Sequence, residues 1–238
     1  MSAPLHPAGR PFLFVNMAMT ADGKIATANR AVSSFGSRRD LEHLYELRAT
    51  ADAVMCGART VDAGNADLGP GPARFRKLRR GLGRAERPVR VIVSGSGSVD
   101  PDARIFRNRA SPLLILTAER AGRARLHRLR KLVDAVRVCG EAEIDFRDAL
   151  SWLRREWGVE RLLCEGGGEL NAALFHAGLV RELNLTICPL VFGGQQAPTL
   201  AEGGAMRRLV DAVPGRLRSV RGVGDELFLV FDVASSAR

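Results

Sequence analysis

The most constraining feature of the sequence is a regular alternation of short apolar runs with amphipathic segments between residues 11 and 166. The apolar runs of strand length lie at 11–20, 51–57, 89–95, 112–118, 134–140 and 159–166. The segments 37–50, 119–132 and 145–158 place apolar residues at helical spacing. This order predicts an α/β fold with a mainly parallel central sheet flanked by helices.

The alternation changes after residue 180, where three strand-like stretches follow one another with only short turns between them. This pattern predicts a C-terminal antiparallel hairpin on the otherwise parallel sheet. No repeat or low-complexity linker interrupts the chain, so we expect a single domain over residues 1–238. The polar segment 1–10 does not have the pattern of a signal peptide and is predicted to be flexible.

Helix boundary signals support these assignments. Ser37 is a plausible N-cap for the helix 37–50, and Gly158 follows the last apolar position of the helix 145–158.

The net charge of +10 is concentrated in two basic segments, 74–87 and 119–132. The first contains glycines and is predicted to be a loop, while the second has leucines at helical spacing. The simpler interpretation is a solvated loop and a solvated helix face. A nucleic-acid-binding face would usually add aromatic residues for stacking, and the 5% of aromatic residues do not cluster there. We therefore expect no nucleic-acid partner, although the charge could steer anionic ligands.

The rest of the composition is that of a globular protein, with 46% hydrophobic and 26% charged residues. No run approaches the ~18 apolar residues that a membrane span requires. The four cysteines are widely spaced, and three of them lie in strand-like runs where cysteine acts as a small buried hydrophobe. A cytoplasmic protein without a membrane partner is the expectation.

The first candidate site is the stretch "LLCEGGGELNAALFHAGLV" at 162–180, in which Glu165 and three glycines separate a buried strand from a helix. Glycines at such a turn let backbone amides approach a phosphate closely, and the helix N-terminus adds a partial positive charge. The alternative is that a tight turn needs glycine for steric reasons alone. Glu165 would lie at the carboxyl edge of the sheet, where open α/β folds bind their ligands.

Two further stretches place polar groups after a strand. In "NMAMTADGKIA" at 16–26, a strand runs into the turn Asp22-Gly23. In "CGARTVDAGNADL" at 56–68, a strand leads into a short helix that carries Thr60, a second potential anion site. The four histidines are isolated, and no cluster has metal-ligand spacing, so no metal is expected. Such a profile suits a bound cofactor that supplies the chemistry.

Taken together, four blocks resemble one family in order and spacing. They are "NMAMTADGKIAT", "RRDLEHLYELRATADAVMCGARTV", "LLCEGGGELNAALFHAGLVRELNLTICPLVFGG" and "APTLAEG". The family is the reductase family of riboflavin biosynthesis, also called the RibD C-terminal domain family. The resemblance implies a dihydrofolate reductase-like fold in the stand-alone form, with no zinc deaminase domain ahead of it. It also implies a homodimer that uses NADPH.

By resemblance, the substrate is a phosphorylated small molecule, a phosphoribosylamino-pyrimidine reduced at C1′ of its ring-opened ribose. Glu165 and Asp22 would be catalytic. The predicted substrate-binding residues are Asn16, Ser34, Leu68 and Glu165. The predicted cofactor-binding residues are Met19, Thr60, Gly166, Gly167, Gly168, Glu169, Leu170 and Asn171.

The chain departs from the family pattern at two places. Gly64 and Asn65 stand where the family tends to carry paired aspartates, and Leu68 alone of that segment is retained. Ser94-Gly95 replaces the usual Asp-Ser at the end of a strand. Both places would touch substrate or cofactor, which leaves two alternatives. One is a reductase of a different heterocycle such as dihydrofolate, and the other is a non-catalytic basic protein that binds nucleic acid.

Overall fold

The computed structural model describes residues 9–30, 35–63, 66–204 and 208–234. Most of the segment predicted to be flexible, the candidate substrate residue Ser34 and the departure at Gly64 and Asn65 lie outside the described residues. The strands are β1 (Phe12–Thr20), β2 (Ala53–Gly57), β3 (Val89–Val93), β4 (Leu113–Thr117), β5 (Ala135–Val138), β6 (Arg161–Cys164), β7 (Val180–Cys188), β8 (Gly215–Val223) and β9 (Glu226–Val233). The helices are α1 (Arg38–Thr50), α2 (Ala58–Asp62), α3 (Ala73–Gly81), α4 (Arg104–Arg107), α5 (Gly122–Leu132), α6 (Phe146–Trp157) and α7 (Gly168–His176).

The described chain divides into two compact units. One unit contains the described residues up to Phe12 together with Tyr45–Leu163, and the other contains Leu13–Leu44 and the described residues from Cys164 onward. The single-domain organisation over 1–238 stays a prediction.

The unit around Tyr45–Leu163 is built on strands in the order β5-β4-β3-β2-β6. The pairs β2–β3, β3–β4 and β4–β5 are all parallel. Every residue of β4 is buried, as expected for a parallel strand covered on both faces. The apolar runs at β2, β3 and β4 become parallel strands because they can bury both of their faces.

The second unit carries strands in the order β1-β7-β9-β8. The β1 and β7 strands are parallel, with Asn16 opposite Asn184 and Thr20 opposite Cys188. The β9 strand runs antiparallel to both β7 and β8. The predicted α/β fold with mainly parallel pairing and a C-terminal antiparallel hairpin is confirmed.

Helix ends follow the predicted capping chemistry. The Ser37 hydroxyl accepts hydrogen bonds from the N–H groups of Arg39 and Asp40 at 3.0 and 3.3 Å, which confirms it as the N-cap of α1. Gly158 ends α6 with a φ of 62°, a left-handed conformation that glycine adopts without strain.

The prediction of a loop over 74–87 is wrong in its first half, where α3 forms. Arginine, lysine and leucine are good helix formers, and the buried residues Phe75 and Arg79 lie four positions apart on one face. The Arg79 guanidinium is fully buried and donates to the carbonyl oxygens of Arg48 and Ala51 at 2.5 and 2.6 Å. The helix forms because this face packs against the rest of its unit. The loop prediction rested on the glycines of the segment, which carry no information about that packing.

All four cysteines are described, buried and free, in agreement with their predicted role as small hydrophobes. Burial raises the pKa of the thiols of Cys139, Cys164 and Cys188 to about 12, so these thiols are neutral at physiological pH.

Candidate functional site

The turn between β6 and α7 carries the predicted acid and glycines. Glu165 follows the end of β6 and is half-buried. Gly166 has a φ of 79°, and the peptide bond between Gly166 and Gly167 is cis. Gly167 is the N-cap of α7 and offers no side chain to the helix N-terminus. The first turn of α7 is therefore capped by backbone alone.

The close packing of neighbouring segments explains two of the three glycines. A Cβ atom on Gly166 would collide with Cε of Met17 on β1. A Cβ atom on Gly168 would lie 2.6 Å from the Thr199 carbonyl oxygen and 2.8 Å from Cγ of Glu202. The steric reason for glycine that the sequence left open therefore applies at both positions.

Residues 197–202, here called the strap, hold the first turn of α7 in place. The Glu202 N–H donates to the Gly168 carbonyl oxygen at 2.9 Å. The other side of the strap is tied to the segment after β1, where the Ile25 N–H donates to Pro198 O at 2.9 Å and Lys24 Nζ donates to Ala197 O at 3.3 Å. The strap thus joins two of the predicted site segments.

Asn171 is the side chain that fixes α7 to the strap. It is fully buried, and its Nδ2 donates to Leu200 O at 2.9 Å while its Oδ1 accepts from Cys164 Sγ at 3.6 Å. Its side-chain amide is committed to the protein itself and its backbone N–H donates to Gly167 O at 3.0 Å, and its predicted cofactor contact stays a prediction. Glu169 is exposed and Leu170 is buried, which leaves Glu169 as the accessible side chain of this turn.

Asp22 closes the turn after β1. Its carboxylate accepts from the Thr20 hydroxyl at 2.5 Å and from the N–H groups of Phe192 and Gly193 at 3.2 and 2.7 Å. The Thr20 hydrogen bond, assisted by the two backbone N–H groups, lowers the pKa of Asp22 to about 2. The carboxylate is ionised at neutral pH and anchors the loop after β7. Its predicted catalytic role, which stays a prediction, cannot be that of a proton donor.

Asn16 and Met19 lie on β1 on opposite faces of the strand. Asn16 is 8% exposed, and its Oδ1 is a buried acceptor without a hydrogen-bond partner. Its neighbour across the strand pair, Asn184, donates its Nδ2 to Glu182 at 2.8 Å. A buried acceptor without a donor is costly unless a ligand supplies one, which is consistent with the substrate contact predicted for Asn16.

Two predicted residues, Thr60 and Leu68, belong to the unit around Tyr45–Leu163. Thr60 is half-buried in α2. Leu68 is 1% exposed and has a φ of 52°, a left-handed conformation rare for leucine. Asp67 and Arg48 hold this turn, because Asp67 Oδ1 accepts from the Gly69 N–H at 2.8 Å and Arg48 Nη1 donates to Gly69 O at 2.7 Å. The substrate contact predicted for Leu68 stays a prediction.

The sequence interpretation missed the residues that hold the candidate segments in place. Arg48 and Asp67 gave no local signal, since their pairing joins α1 to a turn about twenty positions later. Glu202 lies in the block "APTLAEG" that contributed to the resemblance, but its contact with Gly168 depends on tertiary structure.

Two negative findings concern the described part of the chain. No group of three or more His, Cys, Asp or Glu side chains among the described residues is placed to hold a metal ion. Within the same ranges, the helices are too short or too polar to cross a bilayer.

Comparison with known proteins places this α/β fold among reductase domains. The RibD domain of Acinetobacter baumannii superposes with a TM-score of 0.77 at 20% identity, over 95% of this chain and 59% of that longer chain. In sequence, the chain is 34% identical over 224 residues to the 2,5-diamino-6-ribosylamino-4(3H)-pyrimidinone 5′-phosphate reductase of Methanothermobacter thermautotrophicus, covering 94% of this chain and 99% of the relative. The Aquifex aeolicus reductase of the same name is 29% identical over 96% of this chain and 99% of its own length.

The α/β fold and the reductases named above define the chain as a reductase domain. The RibD C-terminal domain matches residues 11–229, and the chain belongs to that family. The resemblance identified in the sequence and the dihydrofolate reductase-like fold that it implied are confirmed.

The packing at Gly166 leads to a stability prediction. Gly166→Ala should lower the free energy of unfolding by about 2–5 kcal/mol, the sum of a left-handed alanine and an overpacked contact with Met17. Gly23→Ala is the matched control, because Gly23 has a φ of 80° but no atom within 4 Å of the added Cβ. It should cost only about 1–2 kcal/mol. If urea unfolding shows the same loss of unfolding free energy in both variants, the proposed contact with Met17 is contradicted.

The lowered pKa of Asp22 leads to a prediction about acid stability. The carboxylate stabilises the fold above its unfolded pKa of 3.8, and this contribution is lost as the pH falls through about 2. Asp22→Asn should therefore lower the urea midpoint at pH 7 and flatten the decline of stability between pH 4 and pH 2. Asp225→Asn, at an exposed acid of the β8–β9 turn, is the control. If the stability of Asp22→Asn declines between pH 4 and pH 2 as steeply as that of the wild type, the stabilising role of the Asp22 carboxylate is contradicted.

Proposed function

We propose that this protein is an NADPH-dependent reductase of riboflavin biosynthesis. The substrate is 5-amino-6-(5-phosphoribosylamino)uracil or its 2,5-diamino analogue, and the reduced atom is C1′ of the ring-opened ribose. The observation that carries the proposal is the 34% identity to a named pyrimidinone phosphate reductase over 94% of this chain. A relationship that spans both units includes every segment that the sequence singled out.

The described residues fit a nicotinamide cofactor and a polar substrate. The nine-residue helix α7 begins at a cap without a side-chain hydrogen bond, so a phosphate could serve as an acceptor for its N-terminal amides. The unpartnered Oδ1 of Asn16 offers a buried acceptor for a substrate N–H. When bound, the cofactor supplies the hydride.

The chain's own residues bind and orient the substrate. Glu165, at the end of β6, contacts the substrate and holds it for reduction. Reduction of the C1′=N bond of the ring-opened imine adds a hydride to C1′ and a proton to the neighbouring nitrogen, and that proton is taken from water and not from the ionised Asp22. Asp22 instead keeps the loop after β7 in place through its hydrogen bonds to Phe192 and Gly193.

The remaining roles follow the family pattern. The backbone of Gly166–Asn171, the half-buried Thr60 and Met19 contact NADPH. Asn16 and the turn at Leu68 contact the substrate, together with Ser34. The excess of 36 Lys and Arg over 26 Asp and Glu would favour the approach of an anionic cofactor and a phosphorylated substrate.

The proposed reaction is tested by following NADPH oxidation with each pyrimidine and identifying the ribitylamino product by mass spectrometry. We expect turnover with NADPH and much less with NADH. Glu165→Gln should lower kcat about a hundredfold while leaving NADPH affinity nearly unchanged, because its contact is with the substrate. Turnover of dihydrofolate with none of either pyrimidine would refute the proposal, and equal losses in kcat and NADPH affinity would refute the role of Glu165.

We further propose a cytoplasmic homodimer. Leu217, Val220 and Leu227 share one face of the β8–β9 hairpin and are 50%, 54% and 44% exposed, which favours burial against a second copy. Sedimentation should give a species of twice the 25.8 kDa chain mass, and replacing Leu217 and Val220 together with lysine should shift it toward the monomer. A wild-type monomer at micromolar concentration would contradict the dimer.

A further inference from the structure

Arg30 and Glu202 form an ion pair whose contribution to folding is small. Arg30 Nη1 and Nη2 donate to the two carboxylate oxygens of Glu202 at 3.2 and 3.1 Å. The two side chains are 48% and 21% exposed, and pairs this accessible to water stabilise a fold little. The position of the pair in the molecule therefore matters more than its strength.

The Glu202 carboxylate lies beside the first residue of α7. A Cβ atom on Gly168 would be 2.8 Å from Glu202 Cγ and 3.0 Å from Glu202 Oε2. The backbone hydrogen bond from the Glu202 N–H to Gly168 O holds the residue there. A negative charge is thus fixed at the positive end of the helix dipole, where it is favoured in the absence of another anion.

This arrangement creates an electrostatic conflict under the proposed function. The phosphates of the cofactor would approach the same helix N-terminus, and an uncompensated carboxylate would repel them. Arg30 provides the compensating charge. Its φ of 57° is unfavourable for a non-glycine residue, so the chain accepts a conformational cost at the residue that carries this guanidinium.

We propose that Arg30 is a positioning residue for cofactor binding, which acts by neutralising Glu202 at the N-terminus of α7. Because Arg30 neutralises the Glu202 carboxylate, a phosphate can bind close to it. This inference rests on the proposed function for the identity of the anion. The alternative is that the ion pair acts mechanically, by holding the strap against the segment after β1. A mechanical role would need both partners equally, so loss of either one would have the same effect on cofactor binding.

Charge neutralisation and a mechanical role predict opposite effects on NADPH affinity when the Glu202 carboxylate is removed. Arg30→Gln should weaken NADPH binding about tenfold, because Glu202 is then uncompensated. Glu202→Gln should leave the affinity unchanged or increase it. The double variant should return to within about twofold of wild type. In steady-state assays the loss in Arg30→Gln should appear in the KM for NADPH and not in kcat, and added salt should reduce it.

Calorimetric titration with NADPH, and separately with inorganic pyrophosphate, measures these affinities directly. Arg208→Gln and Asp211→Asn are matched controls, because they remove the same charges from an exposed pair with a 2.8 Å contact. Both controls should bind like wild type, and all variants should keep the wild-type unfolding temperature. Losses of similar size in Arg30→Gln and Glu202→Gln, with no recovery in the double variant, would overturn the inference.

The pyrophosphate titration separates this inference from the proposed function. If the wild type binds pyrophosphate with the expected variant pattern but does not bind NADPH, the reductase proposal fails and the role of Arg30 stands. If the wild type binds neither probe, both proposals are overturned. If NADPH binds but Arg30→Gln leaves its affinity unchanged, only the role of Arg30 is rejected.

Discussion

The candidate site depends on the close approach of three chain segments at Gly166 and Gly168. Met17 of β1 occupies the space that a side chain on Gly166 would need, and the strap occupies the space beside Gly168. This contact fixes where α7 begins. The buried amide of Asn171 then holds the helix to the strap, and Glu202 is brought to the helix N-terminus. Side chains at the two glycines would separate all of these groups.

Some of the positive charge has a structural role in the interior. Arg79 and Arg90 are almost fully buried and donate to backbone carbonyl oxygens, such as those of Ala51 and Ser111. Burial lowers the pKa of both guanidinium groups, to about 10 for Arg79, which therefore remains protonated at neutral pH. Within the basic segment 74–87, Arg79 is therefore interior, while Arg74, Lys77 and Arg80 are exposed.

The sequence predicted the strands, most helices and the position of the glycine turn, because each depends on local periodicity or capping. The Ser37 cap and the end of α6 at Gly158 are such cases. It did not predict α3. The buried face of this helix carries Arg79, whose guanidinium needs carbonyl acceptors that only the tertiary structure brings within reach. Nor did it predict that Asn171 is a structural side chain, because its partner Leu200 O is 29 positions away.

The sequence by itself determined the class of fold, the family and the segments that form the candidate site, since these follow from the order of strands, helices and motifs. Only the tertiary structure decided what each polar group does there. The hydrogen bonds of Asp22 keep it ionised, packing requires glycine at 166 and 168, and Arg30 meets Glu202 across 172 positions of sequence. Charge and hydrogen bonding act over a few ångströms in space, and those distances are set by folding.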